Sequence, residues 1–319
     1  MRAVGLWSCA EEPIPMYSID VTRVFDPYVR VIQDANFTQY IWGKSLLQPL
    51  WDYLRFHHQD TMRSPLFPVF ISVSTYFIAC TFYMVLDLLA PRCPAVNKYK
   101  IHPEHHVTWA SILKALRQTG YNHVIFVFPA AVCQWYWRPP IPLQEEAPLL
   151  SEFFVGILSC TILFDFQYYF WHMMHHKVRW LYTTFHAIHH EYYTPFSWST
   201  QYLSVWELIS LGFWATIDPV ILQCHCLTGF TFMVFNVWIS VDDHSGYDFP
   251  WALHNIVPFG LWGGTVKHDV HHQKPQCHFA PFFSHWDWLC GTYCDYKHSP
   301  AVVEIAKKRR KPRRNKNHF

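Results

Sequence analysis

The sequence predicts an all-α integral membrane protein, with about three to five membrane-embedded helices and a helical, histidine-rich metal site facing the cytosol. Three observations lead there. Charged residues make up 15% of the 319-residue chain and aromatics 19%, against roughly 25% charged in an average soluble protein. So little charge cannot cover a soluble surface of this size, and a disordered chain is excluded as well. Several apolar stretches approach the ~20 residues that cross a bilayer, and the 22 histidines are clustered. A mean hydropathy of only +0.01 fits apolar spans alternating with wet, histidine-rich segments.

Taken in order, residues 1–45 form a polar arm. Glu11, Glu12, Pro13 and Pro15 keep it loose, and it lacks the apolar core of about 7–15 residues that marks a signal peptide. Asn36-Phe37-Thr38 is a glycosylation sequon, usable if the arm is luminal. Apolar stretches follow at 66–90, 121–137 (with Pro129 inside) and 149–171. A further pair, 203–222 and 227–241, is joined at 223–226, with Asp218-Pro219 expected to break the first member.

Flanking charge orients these spans. Arg92, Lys98, Lys100, Lys114 and Arg117 lie between the first and second, Glu145 and Glu146 between the second and third (Arg138 being the exception), and Lys177 and Arg179 after the third. Basic loops face the cytosol, so the arm is expected in the lumen and the chain after Trp171 in the cytosol. The 203–241 pair, as two passes or a re-entrant hairpin, returns the chain to that side. Residues 46–298 then form one membrane-embedded domain, followed by a basic cytosolic tail, 299–319. Eight Lys and Arg residues fall between 307 and 316; removing them from a net charge of +2 leaves the body at −6. Such a tail reads as a solvated segment near anionic lipid or as a localisation signal. The preceding spans argue against nucleic acid as its partner. Of the ten cysteines, Cys80, Cys133 and Cys160 sit in apolar runs and are expected as buried thiols, not disulfides.

The pattern H-x-x-H-H occurs four times, at 102–106, 172–176, 186–190 and 268–272, where composition alone predicts about 0.1. Positions i, i+3 and i+4 of a helix share a face, and imidazole is a preferred ligand of Fe, Zn, Cu and Ni. The first box is set aside as chance, because Pro103 pushes His102 out of the helical region. The other three follow one another on one side of the membrane and offer eight ligands: His172, His176, His186, His189, His190, His268, His271 and His272. That number suits two metals better than one tetrahedral zinc. His175 is expected to face away, His244 is a candidate ninth ligand, and His225, beyond the hairpin, reads as structural. Asp165, Glu191, Asp242, Asp243 and Asp269 are candidates to orient the imidazoles, or are simply solvated or capping carboxylates. The competing readings are a zinc hydrolase and a set of interfacial amphipathic helices whose polar face is histidine.

Residues 171–209, including Trp180-Leu181-Tyr182 and Thr184-Phe185-His186, resemble the sterol desaturase and fatty-acid hydroxylase superfamily. The likeness extends to Gln48-Pro49-Leu50-Trp51, Tyr99-Lys100-Ile101-His102-Pro103, Asp243-His244-Ser245-Gly246-Tyr247, Phe249-Pro250-Trp251, Val257-Pro258-Phe259-Gly260 and Phe279-Ala280-Pro281, and covers about residues 46–295. It implies an endoplasmic reticulum membrane enzyme with two iron ions. It also implies O2 and NADPH-derived electrons as co-substrates, delivered by cytochrome b5 or an NADPH-dependent reductase. The family's boxes fall on 172–176, 186–190 and 268–272. The expected reaction is hydroxylation of a sterol, at C25 of cholesterol; desaturases and other lipid oxidases share the same boxes, and a sterol-binding adaptor without turnover is the non-enzymatic alternative. The arm and the basic tail lie outside the resemblance.

Overall fold

A computed structural model describes residues 45–137 and 139–294; the Asn36 sequon, Arg138 and the basic tail lie outside them. The described residues are helical, with no β-sheet among them beyond two isolated bridges. The principal helices are α1 (Gln48–Arg63), α2 (Leu66–Leu89), α3 (Trp109–Asn122), α4 (Phe128–Trp137), α5 (Leu150–Lys177), α6 (Val205–Ile221), α7 (Cys226–Asp243), α8 (Gly264–Gln273) and α9 (His285–Leu289).

Among the described residues, α2 and α5 are long and apolar enough to cross a membrane. At 1.5 Å per residue the 24 residues of α2 reach about 36 Å, and the 28 of α5 about 42 Å, beyond the ~30 Å hydrocarbon core. The surplus in α5 is long enough for the end that carries His172–His176 to lie outside the apolar layer. Both helices leave large apolar side chains uncovered, Phe70 and Ile78 on α2 and Phe154 and Val155 on α5, as a lipid-facing surface requires.

Two expectations change. The second apolar stretch begins at Trp109, not at residue 121. Thr108 caps α3 by accepting a hydrogen bond from the Ser111 N–H (3.2 Å), and Ile112, Ala115, Thr119 and Asn122 bury one face at helical spacing. Lys114 and Arg117 on the exposed face, and Gln118 at the edge of the buried one, mask that helix in a hydropathy reading. The helical path then passes Pro129 through a π turn, His123–Val127. The N–H that Pro129 lacks would have gone to the carbonyl of Ile125, which lies inside that widened turn. Pro219, for its part, does not break α6, which runs on to Ile221. Pro219 is buried in the last turn against Gly229 of α7, where a Cβ would lie 3.2 Å from the proline ring.

Helix α7 is central. On one side it meets α2 and α3 around Tyr76, Tyr83, Ile112, Trp198 and Val241. On the other it meets α5 and the 262–283 segment around Phe164, Tyr168, Phe232 and Phe282. Helices α6 and α7 form a hairpin whose two open ends lie at the histidine layer. Cys80 and Cys160 are buried as expected, whereas Cys133 is exposed, and the described cysteines are all free.

Candidate metal centre

The three boxes converge. Nitrogens of His172, His176, His186, His190 and His271 lie within 4.8 Å of one another, and those of His189, His244, His268 and His272 form a second such group. The division follows helical geometry. In each box the first and last histidines, four residues apart, serve one group. The middle one, displaced to the other flank of the helix, serves the other: His189 leaves its neighbours for the second group, and His271 leaves its own for the first. The middle member of the 172–176 box, His175, belongs to neither. It stacks on Trp171 (3.7 Å between centroids) and bonds the Trp171 carbonyl. The vacancy this leaves in the second group is filled by His244, at the end of α7. The groups abut, with the His190 and His272 rings 4.6 Å apart.

The rings are aimed by their outer nitrogens. The Nδ1 of His172 faces the carbonyl of Phe279 (2.7 Å), that of His271 the carbonyl of Cys277 (2.7 Å), that of His272 the carbonyl of Tyr192 (2.9 Å) and that of His244 the carbonyl of Ser240 (2.7 Å). The Nδ1 of His186 faces the Glu207 carboxylate at 2.9 Å. An oxygen acceptor fixes the proton on Nδ1 and leaves Nε2 a bare lone pair. The Nε2 atoms nevertheless crowd together: His172 and His186 at 2.9 Å, His186 and His190 at 3.0 Å, His190 and His271 at 3.2 Å. In the second group His244 and His268 approach to 2.9 Å, and His268 and His272 to 3.1 Å. His172 and His186 have each committed their proton outward, so no hydrogen bond joins their inner nitrogens. Two lone pairs at that range repel unless a cation lies between them. Metal–nitrogen bonds of about 2.1 Å at right angles put neighbouring nitrogens ~3.0 Å apart, as observed. The residues therefore fit a pair of metal ions.

Burial and mutual repulsion hold His189, His268 and His272 well below the ordinary imidazole range. Burial likewise pushes His244 and His271 down to about 4. The rings are neutral at physiological pH, the state a metal requires.

The orienting carboxylate that sequence reading missed is Glu207, fully buried on α6; an acidic residue inside an apolar span was its signal. The candidates named from sequence do other work. Asp165 accepts the N–H groups of Phe282 and Phe283, Asp242 bonds the Tyr83 hydroxyl, and Glu191 pairs with Lys114. Asp269 does accept from an imidazole, but from His102 (2.9 Å). The 102–106 segment is thus no ligand set, yet it is not incidental: His102 braces α8 beside His268. Next to it, Lys100 and Tyr247 share the buried carboxylate of Asp87 (2.8 and 3.0 Å), tying α2 to the turn that follows His244. His225 caps α7, accepting from the N–H of Leu227 (3.0 Å), far from both groups.

A cavity of about 390 Å³ opens onto His172 of the first group and His189, His244 and His268 of the second. Met233, Asn236, Val237, Ser240 and Asp243 line it along one face of α7, and Phe164 and Tyr168 along α5. Its other walls come from α2, α4 and α6, and are mainly apolar. The volume lies within the roughly 300–1,000 Å³ of small-molecule sites.

Fold and site together define a helical protein, with two helices long and apolar enough to cross a membrane, that gathers histidines from three boxes and the end of α7 into two adjoining groups able to hold metal ions. Comparison with known proteins gives the family. The fatty acid hydroxylase family model matches residues 157–292, which hold all nine grouped histidines. The chain is 58% identical over 274 residues to the zebrafish (Danio rerio) cholesterol 25-hydroxylase-like protein 2, covering 86% of this chain and 97% of that one. It is 49% identical over 250 residues to the human cholesterol 25-hydroxylase (78% and 91%). A Caenorhabditis elegans cholesterol 25-hydroxylase-like protein is 35% identical over 271 residues (83% and 90%). No solved structure matches. The chain belongs to the fatty acid hydroxylase family.

Proposed function

We propose that the chain is a di-iron monooxygenase of the endoplasmic reticulum membrane that hydroxylates a sterol, at C25 of cholesterol, with its centre facing the cytosol. O2 and NADPH-derived electrons, through cytochrome b5 or an NADPH-dependent reductase, are its co-substrates. The observation that carries this reading is the mainly apolar cavity ending on both histidine groups. A zinc hydrolase needs three ligands and an open position; five and four nitrogens side by side are better suited to a redox pair. His172, His176, His186, His190 and His271 would hold one iron, and His189, His244, His268 and His272 the other. Bound there, iron supplies the oxygen activation that an unactivated C–H bond requires and that no side chain provides.

The chain's own residues do the rest. Glu207 and the carbonyls of Phe279, Cys277, Tyr192 and Ser240 keep five of the nine imidazoles, His186, His172, His271, His272 and His244, aimed inward. Phe164, Tyr168, Phe279 and Phe282 exclude water and hold an apolar carbon skeleton against the rings. The names of the relatives support a sterol, and the exposed faces of α2 and α5 support delivery from lipid. The remaining apolar helices, α4, α6 and α7, would be membrane-embedded in this reading, with Asn36 luminal and glycosylated. The test is expression in cells lacking such activity, followed by mass spectrometry of oxidised and desaturated sterols. A hydroxylated sterol that disappears in His189→Ala is expected. A desaturated product, or an effect on cells that His189→Ala leaves intact, would overturn the reading.

A further inference from the structure

The cavity has a polar spot far from the metals. Helices α2 and α7 run in parallel: Phe67 meets Phe230 near their beginnings (4.9 Å between centroids), and Tyr83 bonds Asp242 near their ends. Tyr83 therefore marks the level of the metal layer, where His244 follows Asp242. Ser72 lies eleven residues before Tyr83, or about 16 Å back along α2. The α3–π–α4 path runs antiparallel to α2. Thr119 meets Tyr76, and beyond the end of α4 the N–H of Ile141 reaches the carbonyl of Arg63, before the start of α2 (3.4 Å). One turn past Thr119 is His123 and one turn before Tyr76 is Ser72, so both stand at the same depth, and both line the cavity.

His123 is prepared to accept a hydrogen bond. Its Nδ1 lies 2.8 Å from the carbonyl of Thr119, which fixes the proton there and leaves Nε2 a lone pair. It opens the π turn His123–Val127, and such turns recur at functional sites. The neighbouring wall is mainly apolar, with Pro68, Val69, Val127 and Ala131, and Thr200 and Gln201 approach it beside Thr119. A hydroxyl that donates to His123 Nε2 and accepts from Ser72 would satisfy both groups.

We propose that His123, with Ser72, reads the ring hydroxyl of the sterol and so sets which carbon lies over the centre. The inference rests on the sterol reading above. The separation of about 16 Å spans most of a sterol's length, so a substrate anchored by its ring hydroxyl presents the end of its side chain, not its rings, to the histidine groups. His123 and Ser72 are specificity residues, remote from the reacting atoms.

The experiment compares cholesterol with its 3-deoxy analogue, 5-cholestene, using full-length iron-loaded protein in lipid nanodiscs and measuring both binding and turnover. The wild type is expected to favour cholesterol by about ten- to a hundred-fold, the worth of a buried hydrogen-bonded hydroxyl. His123→Leu should erase that preference by weakening cholesterol alone, with iron content unchanged. His123→Gln, which restores an acceptor, should recover it, and Ser72→Ala should reduce it. Preference retained in His123→Leu overturns the proposal. So does its loss in Asn236→Leu instead, because Asn236 lines the cavity only about 12 Å from His244 along α7. If cholesterol binds with a His123-dependent preference and is not oxidised, the anchor stands and the reaction proposed above fails. If neither sterol binds, the anchor fails too.

Discussion

At the residue scale, the boxes work by a one-turn rule. Histidines four apart share one nitrogen group, and the middle one crosses to the other group or turns away. The three boxes were legible because imidazoles at that spacing are rare by chance, whereas His244, outside any box, was only a candidate ninth ligand. Sequence reading did not reach their division into five and four, since only the packed arrangement shows which flank of each helix faces which group. Most of the orienting partners were also illegible, because they are backbone carbonyls and carry no side-chain signature. His268→Ala leaves the second group three nitrogens and the first its five, so it should weaken one metal position and spare the other, taking bound iron from two per chain toward one in elemental analysis; loss of both would mean one joint site. Glu207→Gln keeps the shape but replaces the carboxyl acceptor behind His186 with a weaker amide one, and should weaken metal binding about 10- to 100-fold, read by competition with a chelator. His102→Ala breaks the brace to Asp269 and should cost about 1–3 kcal/mol of stability with iron stoichiometry unchanged. A loss of iron in that variant at full stability would make His102 a ligand after all.

At the element scale, α8 is a short helix that must deliver His268, His271 and His272 to two positions, so its start is fixed. Gly264 has φ +67°, and a Cβ there would lie 2.4 Å from Nδ1 of His254. Gly264→Ala combines left-handed strain with a clash against a ring that is itself bonded to Asp248 (3.0 Å). It should cost about 2–4 kcal/mol and lower iron retention on heating, read as a shift in Tm; a neutral result would show that the start of α8 has room to move. Helix α2, the body of α5 and the hairpin pair were legible because long apolar runs dominate them. Helix α3 was not, because its buried face alternates with Lys114, Arg117 and Gln118. The persistence of α6 past Pro219 depends on the space left by Gly229, a contact between helices that no local sequence signal reports.

At the scale of the whole molecule, the buried histidines couple the fold to pH. An unfolded chain takes up protons near pH 6.5 at each histidine, whereas the folded chain holds His244 and His271 neutral down to about 4 and keeps His189, His268 and His272 depressed further. Between those limits the unfolded state binds more protons, so folding stability falls as pH drops from about 6.5 toward 4 and is flat above about 7.5. Thermal unfolding of the metal-free protein in detergent at pH 7.5 and pH 5 should show Tm lower at pH 5. Equal values would mean the rings are not buried neutral. The latch of Asp87, Lys100 and Tyr247 and the His102–Asp269 brace hold the 99–106 segment against the centre. The box-like segment dismissed at first is therefore part of the support, a role that spacing alone could not distinguish from chance.

The paired metal positions are tested most directly by the metal content of the purified full-length protein, produced with iron and zinc both available. Two irons per chain, with little zinc, is the expected result. A single zinc per chain, or no stoichiometric metal in folded protein, would contradict it.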